Sequence, residues 1–92
     1  MYIWDAGKAA SNLRKHGVPF RFAVRVFEDP DRVEFDASRA SDGEPRRKCV
    51  GLIEGKLYVV VFTERGPDRR IISARRTNRR EEMRYGDATN DT

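Results

Sequence analysis

The side chains that could do chemistry in this chain are basic, acidic and phenolic, with one histidine and one cysteine. The sequence holds no Gly-rich phosphate loop, no HExxH and no Cys/His cluster of metal-binding spacing. Because transition-metal sites are usually built from several His and Cys ligands, we expect no metal and no cofactor. The numbers of Ser, His and Asp residues do not exclude a Ser-His-Asp triad, but the sequence contains no nucleophile-elbow pattern.

One reaction fits the Lys, His, Arg, Glu and Tyr side chains that remain: cleavage of RNA by its own 2′-hydroxyl. It needs a base for the hydroxyl, cations for the charge that develops on the phosphate, and an acid for the leaving oxygen. Arginines supply the cations and the RNA supplies the nucleophile. The reaction therefore requires neither a metal ion nor a reactive serine or cysteine.

The stretch from Leu57 to Arg76 predicts the element that would carry the arginines. Runs rich in β-branched and aromatic residues flank Gly66-Pro67-Asp68, which is the pattern of a β-hairpin. The first run, Leu57 to Phe62, is apolar at odd and even positions, so we expect a central strand covered on both faces. Five arginines lie near the turn and ends of the hairpin: Arg65, Arg69, Arg70, Arg75 and Arg76. They suit phosphate binding, although the hairpin alone is explained more simply by arginines that solvate a sheet end.

Two helices are predicted before the sheet. Asp5 as N-cap and Gly17 after the last turn delimit a first helix that ends at His16. Its solvated face is expected to carry Lys8, Asn12, Lys15 and His16. Apolar residues at helical spacing from Phe20 to Phe27 predict a second helix, which ends before Asp29-Pro30.

Short strands and a last helix complete the predicted domain. The strands are expected at Tyr2-Ile3-Trp4, Val33 to Phe35, Arg46 to Ile53 and in the two arms of the hairpin. Asn78, with Glu81 three residues later, predicts a capped helix from Arg79 to Tyr85. The fold class is therefore α+β, an antiparallel meander with the helices packed on one face. Residues 1–85 form a single domain in this interpretation, and residues 86–92 a disordered tail.

Charge is unevenly distributed along the 92 residues. Residues 46–85 hold twelve Lys/Arg and five Asp/Glu, whereas residues 1–45 hold seven and eight. This asymmetry favours a polyanionic partner, either nucleic acid or an acidic protein. The single thiol, Cys49, and the absence of any long apolar run or leader pattern favour a reducing, cytoplasmic location without a membrane.

Each candidate outside the hairpin has a structural alternative. His16 could act as acid or base, with Lys15 beside it, or could simply cap the helix. Trp4 could stack a base or belong to the core. Lys8 is explained as well by a solvated helix face as by RNA binding.

Two further candidates have simple alternatives. Glu64 could be a base or the partner of a neighbouring arginine. Tyr85 could donate a proton or anchor the last helix.

An ordered set of short motifs resembles the BrnT toxin family. It comprises Trp4-Asp5, Asn12-x-x-Lys15-His16-Gly17-Val18-x-Phe20, Val26-Phe27-x-Asp29-Pro30, Asp42-Gly43-Glu44, Val60-Val61-Phe62-Thr63-Glu64-Arg65 and Arg70-Ile71-Ile72-Ser73-Ala74-Arg75. The resemblance covers about residues 2–85, and Pro67-Asp68 in the hairpin turn departs from the pattern.

The resemblance implies the toxin of a bacterial type II toxin–antitoxin pair. The fold would be similar to RelE-type ribonuclease toxins, and the activity would be metal-independent RNA cleavage that halts translation. The partner would be a BrnA-like, DNA-binding antitoxin that masks the toxin in a hetero-oligomer. Operator DNA would then be reached only through that antitoxin.

By position in the motifs, the resemblance also implies residue roles. Arg65, Arg75 and Lys15 would contact the phosphate and the transition state. His16 would be the acid or base, supported by Glu64 and Tyr85. The remaining candidates would bind RNA: Trp4, Lys8, Arg69, Arg70 and Arg76.

Two alternatives to an active toxin remain at this point. One is a non-catalytic module whose basic sheet binds nucleic acid or an acidic protein. The other is a toxin-like chain without activity. The sequence does not distinguish the second alternative from an active enzyme.

Overall fold

A computed structural model of the chain describes residues 1–41 and 43–90. In chain order the elements are β1 (Tyr2–Ile3), α1 (Ala6–His16), α2 (Phe20–Ala23), a 3₁₀ helix (Val24–Glu28), β2 (Val33–Asp36), β3 (Arg47–Ile53), β4 (Lys56–Arg65), β5 (Asp68–Arg76) and α3 (Arg79–Asn90). The class is α+β. Asp42, in the predicted polar loop, and residues 91–92 of the predicted tail lie outside the described residues.

The five strands form one sheet in the order β1-β5-β4-β3-β2, with β4 at its centre as predicted. β1 pairs with β5 in parallel, through Tyr2 opposite Arg69 and Ile3 opposite Arg70. The sheet is therefore mixed, and the prediction of a purely antiparallel meander is wrong at this edge. A two-residue strand carries no local signal of direction, and its partner here lies at the other end of the chain.

The β4–β5 hairpin closes through the two-residue loop Gly66-Pro67, with Arg65 opposite Asp68. Gly66 has a φ of 57°, and proline holds a negative φ, a combination that suits a type II′ turn. The pairing shifts between Val61 and Phe62, which leaves Ile72 without a partner. Because of this bulge, Ile71 and Ala74 both face the same core despite their spacing.

One face of the sheet, called the helix face here, is covered by α1, α2 and the 3₁₀ helix. Its buried core comprises Val18, Phe20, Ala23, Val26, Phe27, Cys49, Ile53, Val60, Phe62, Ile71 and Ala74. A Cβ atom on Gly51 would lie 2.6 Å from the carbonyl oxygen of Val26, so glycine in β3 lets the 3₁₀ helix approach the strand. The predicted second helix is thus α-helical only over Phe20–Ala23 and then tightens into the 3₁₀ helix.

The opposite face, called the open face here, is only partly covered, and the element on it is α3. Lys48 and Arg75, which alternate with the core residues Cys49 and Ala74, both bind Glu81 of α3. The expectation that all helices pack on one face is therefore wrong. Asn78 and Glu81 do form the predicted reciprocal cap, but α3 extends to Asn90, beyond the predicted end at Tyr85.

Asn12 corrects the predicted solvated face of α1, because it is only 7% exposed. Its side-chain amide donates to the carbonyl oxygen of Ala74 at 2.8 Å and accepts from the Ala74 amide at 3.1 Å. It also donates to the carbonyl oxygen of Val18 at 3.1 Å. The side chain thus satisfies the backbone of β5 and fixes α1 to the sheet.

Replacing Asn12 tests this anchor. We expect Asn12→Ala to lower the free energy of unfolding by about 2–4 kcal/mol, since two buried backbone groups of Ala74 lose their partner. Asn12→Asp should be at least as destabilising as Asn12→Ala, because a buried carboxylate would face the carbonyl oxygens of Ala74 and Val18, to which it cannot donate. Urea denaturation measures the effect, with exposed Ser11→Ala as control. A loss below about 0.5 kcal/mol in Asn12→Ala, within the range of neutral surface substitutions, would contradict the role.

Candidate nucleic-acid interface

Basic side chains form cross-strand rows on the open face. Thr63 lies opposite Arg70, and Arg46 directly precedes the Arg47–Phe62 pair, so it continues the row on the other side of Thr63. The next row contains Phe35, Lys48, Val61 and Ser73. Side chains directly opposite one another lie about 5 Å apart at their Cβ atoms. The open face therefore carries arginines from two strands within reach of a single anion.

Arg65 lies at the turn end of the open face and forms an ion pair with Glu44 at 3.3 Å. Both side chains are well exposed, 47% and 39%. Pairs of this kind contribute about 0–1 kcal/mol, so Glu44 holds Arg65 only weakly. The Arg65 guanidinium can therefore exchange Glu44 for a phosphate at small cost.

Glu81 joins α3 to the other end of the open face. Its carboxylate accepts from both terminal nitrogens of Arg75, at 2.9 and 2.8 Å, and from Lys48 Nζ at 2.9 Å. Glu81 is 3% exposed. Burial alone would raise its pKa, but hydrogen bonds from Arg75, the Asn78 amide and Lys48 outweigh burial and lower the pKa from 4.5 to about 2. The carboxylate is thus ionised and fixes both cations.

Arg65 and Arg75 share the open face but lie far apart along it. Arg75 is opposite Val59, six residues before Arg65 on β4. At about 3.3 Å per residue the separation is about 20 Å, so the two arginines cannot contact one phosphate. They can contact different phosphates of one RNA strand that follows β4.

A cavity of about 350 Å³ opens at the β2 side of this surface. Phe35, Arg46, Lys48 and Val61 contribute to its lining. The guanidinium of Arg84, from α3, lies 4.1 Å from the ring centroid of Phe35. The cavity thus combines an aromatic ring with cations, which suits a nucleotide.

The N-terminal candidates lie on the other side of the sheet. Lys15 and His16 are exposed at the end of α1, whose Asn12 packs on the helix face. Trp4 is 39% exposed and makes an edge contact with Phe20 at 5.8 Å. Lys8, also exposed, is fixed through its backbone amide, which binds the Asp5 cap. The structure does not bring these residues together with Arg65.

Three hairpin candidates also point to the helix face. The Arg69 guanidinium lies 4.2 Å from the Phe27 ring centroid, and Arg76 lies 5.3 Å from the Tyr58 centroid. Both are cation–π interactions at the edge of the apolar core. Glu64 lies opposite Arg69 in the same row.

Tyr85 anchors α3 at the β2–β3 side. Its hydroxyl donates to Asp29 Oδ2 at 2.7 Å, and the same oxygen accepts from the Leu52 amide. Burial and the bond to Asp29 raise the pKa of Tyr85 to about 12. The phenol is thus a poorer acid than usual. Its contact with Asp29 corresponds to the alternative in which Tyr85 anchors the last helix.

Sequence reasoning missed Arg46, Lys48 and Glu44 as members of this surface. Arg46, directly before β3, and Lys48 within β3 share one parity, and the register then places them beside Thr63 and Val61. The parity was visible in the sequence, but the strand register was not.

Two general features complete the description. Among residues 1–41 and 43–90, no group of three or more His, Cys, Asp or Glu side chains is placed to hold a metal ion. In the same part of the chain, no helix has the length and apolarity to cross a membrane.

The architecture is that of a small α+β domain with a mixed five-stranded sheet and a basic open face. Residues 4–81 match the family model described as "Ribonuclease toxin, BrnT, of type II toxin-antitoxin system". The chain belongs to this family of ribonuclease toxins, and membership implies an antitoxin partner. A search of curated proteins finds no significant match.

The Glu81 cluster predicts a specific pH dependence. A folded-state pKa of about 2, below the usual 4.5, means that the stabilisation is complete above about pH 4.5 and is lost as the pH falls towards 2. We expect the wild type to lose about 3 kcal/mol through this group over that window. The free energy of unfolding of Glu81→Gln should fall correspondingly less over the same pH range. Urea denaturation at each pH measures it.

The exposed neighbour provides the control for this experiment. Glu82→Gln removes one charge from the same turn of α3 and should retain the wild-type pH profile. Parallel profiles for the wild type and Glu81→Gln would show that the buried cluster does not stabilise the fold.

Proposed function

We propose that this chain is a metal-independent endoribonuclease toxin that cleaves RNA through the RNA's own 2′-hydroxyl and thereby inhibits translation. The observation that carries the proposal is the set of basic side chains that the open face presents on and beside β4. The helix face is closed by the core, whereas the open face presents Arg46, Lys48, Arg65 and Arg70. The family assignment supports ribonuclease activity, and the open face is the surface on which we place it.

The arginines of the open face suit the charge that develops in this reaction. Attack of the 2′-oxygen on phosphorus forms a 2′,3′-cyclic phosphate and breaks the bond to the 5′-oxygen of the next nucleotide. The 2′-hydroxyl loses its proton, the leaving 5′-oxygen gains one, and extra negative charge develops on the non-bridging oxygens in between. Guanidinium groups bind such oxygens through paired hydrogen bonds and do not lose their proton. We assign this role to Arg65 and Arg70. Because Glu44 holds Arg65 only weakly, the phosphate displaces it readily.

Arg75 has a positioning role in this proposal. Its guanidinium is occupied by Glu81, which also holds Lys48 at the edge of the cavity. Lys15, His16 and Glu64 lie outside the open face, so we assign them no part in binding the scissile phosphate.

The antitoxin in this proposal is a BrnA-like, DNA-binding protein. An acidic segment of it would cover the open face, because residues 46–85 carry twelve basic and five acidic residues. Operator DNA would be bound by the antitoxin and not by this chain. The toxin would act in the cytoplasm, where its RNA substrate is found.

One observation favours a second candidate function. The single histidine lies on α1, away from the open face. A surface rich in arginine but without this usual acid–base group also fits a non-catalytic module for RNA or an acidic protein. Such a module would bind RNA in a salt-dependent way without cleaving it.

RNA cleavage in excess EDTA separates the two functions. We expect the wild type to cleave total RNA, and Arg65→Ala or Arg70→Ala to reduce the rate roughly 10²- to 10³-fold, as for other lost oxyanion contacts. Gel analysis of the products and their 2′,3′-cyclic phosphate ends measures the reaction. Arg14→Ala, an exposed arginine of α1, serves as the control and should cleave normally.

The other outcomes are informative. Full activity in both open-face variants would refute this site, while cleavage that EDTA abolishes would refute metal independence. If purified RNA is not cleaved, the same variants are assayed with translating ribosomes. Salt-dependent RNA binding without cleavage in either assay would support the binding module.

A further inference from the structure

Thr63 is a polar residue of the open face that the fold buries. It lies in β4 and is only 1% exposed. Its hydroxyl has no hydrogen-bond partner among the described residues. The sheet register places Arg70 directly opposite on β5 and Arg46 on the β3 side.

An unpaired buried hydroxyl is a cost to folding, since the group loses water and gains no partner. Valine has nearly the same shape, carries no polar atom and is at least as favourable in a strand. Packing therefore does not explain threonine in the most central strand of the sheet. Unsatisfied polar groups of this kind call for an explanation in terms of a ligand or a mechanism.

We infer that the Thr63 hydroxyl is a donor to a phosphate oxygen of bound RNA, in a subsite completed by Arg46 and Arg70. This subsite rests on the proposed function and specifies where one phosphate is held. The two guanidinium groups flank β4, Arg70 from β5 and Arg46 from the residue directly before β3, and the hydroxyl lies in the row between them. A neutral O–H donor to an anionic oxygen forms a strong, charge-assisted hydrogen bond.

The side chains beside Thr63 in its row can move without a change in the sheet. Arg46 and Arg70 are half-buried, and both are long side chains with several rotatable bonds. The subsite requires that their rotamers change on binding while the backbone pairing of Thr63 stays in place. Binding the phosphate then compensates for the unpaired hydroxyl.

The subsite makes the effects of Thr63→Val on stability and on RNA binding opposite in sign. We expect this variant to unfold in urea at the same or a higher midpoint than the wild type. It should bind a mixed-sequence 2′-O-methyl RNA oligonucleotide, which cannot be cleaved through a 2′-hydroxyl, roughly tenfold or more weakly. Thr63→Ser, which retains the hydroxyl, should restore most of the affinity. Fluorescence anisotropy at fixed salt measures binding.

The matched control is Thr77→Val, the same chemical change at a hydroxyl that has a partner. The Thr77 hydroxyl donates to Glu82 at 3.1 Å. This variant should lose some stability and bind RNA normally. The contrast between the two threonines separates a ligand contact from a general effect of removing a hydroxyl.

Two results would overturn the subsite. One is an affinity of Thr63→Val for the oligonucleotide that stays within twofold of the wild type. A variant that loses only its binding to an acidic protein would give this result as well. The other is a loss of stability in Thr63→Val as large as in Thr77→Val, because the hydroxyl would then have a partner within the fold.

These results are separable from failure of the proposed function. If the wild type binds the oligonucleotide but never cleaves unmodified RNA, the ribonuclease proposal fails. The phosphate subsite is then tested by the binding data alone. If the wild type cleaves and Thr63→Val binds equally well, only the subsite fails.

Discussion

The buried carboxylate of Glu81 is the interaction on which the open face depends. A single side chain on α3 neutralises cations from β3 and β5 and also caps its own helix through the Asn78 amide. A carboxylate 3% exposed is tolerated only because it is fully paired. Its loss would leave Lys48 and Arg75 without a buried counter-ion and would remove the ion pairs that join α3 to β3 and β5. The shape of the basic surface therefore depends on one ionised group.

The two faces of the sheet differ in the environment of their arginines. The helix face contains the apolar core, and its arginines lie over aromatic rings where they complete packing. The open face carries cations that are held by carboxylates or flank an unsatisfied hydroxyl. Arginines of one hairpin thus have different roles according to the face of the sheet on which they lie. This explains why the number of arginines alone says little about the site.

Local sequence signals predicted the features that depend on neighbouring residues. The caps at Asp5 and Gly17, the box formed by Asn78 and Glu81, and the central strand are all observed. Each follows from a few adjacent residues or from one run of apolar residues. The family resemblance, spread over ordered motifs, also holds.

The features that were mispredicted depend on distant partners. The direction of β1 is set by β5, and the burial of Asn12 is set by Ala74, 62 residues away. The bulge at Ile72 changes which hairpin residues share a face. Without the register, the sequence groups Arg65 and His16 in one candidate site, whereas the structure places them on opposite faces of the sheet. Residue type indicates a kind of chemistry, whereas the position of each side chain depends on the strand register.

The closure of the N-terminal segment by β5 has a consequence for synthesis of the protein. β1 and α1 are made first, yet their hydrogen-bond partners, Arg69 and Ala74, are among the last residues of the sheet to be made. Pairing across such a sequence separation is late in folding, because loop closure must precede it. A growing chain therefore lacks both its closed core and its assembled basic face until β5 has left the ribosome. The complete sheet, with both of its faces, therefore forms only after nearly all of the chain has been synthesised.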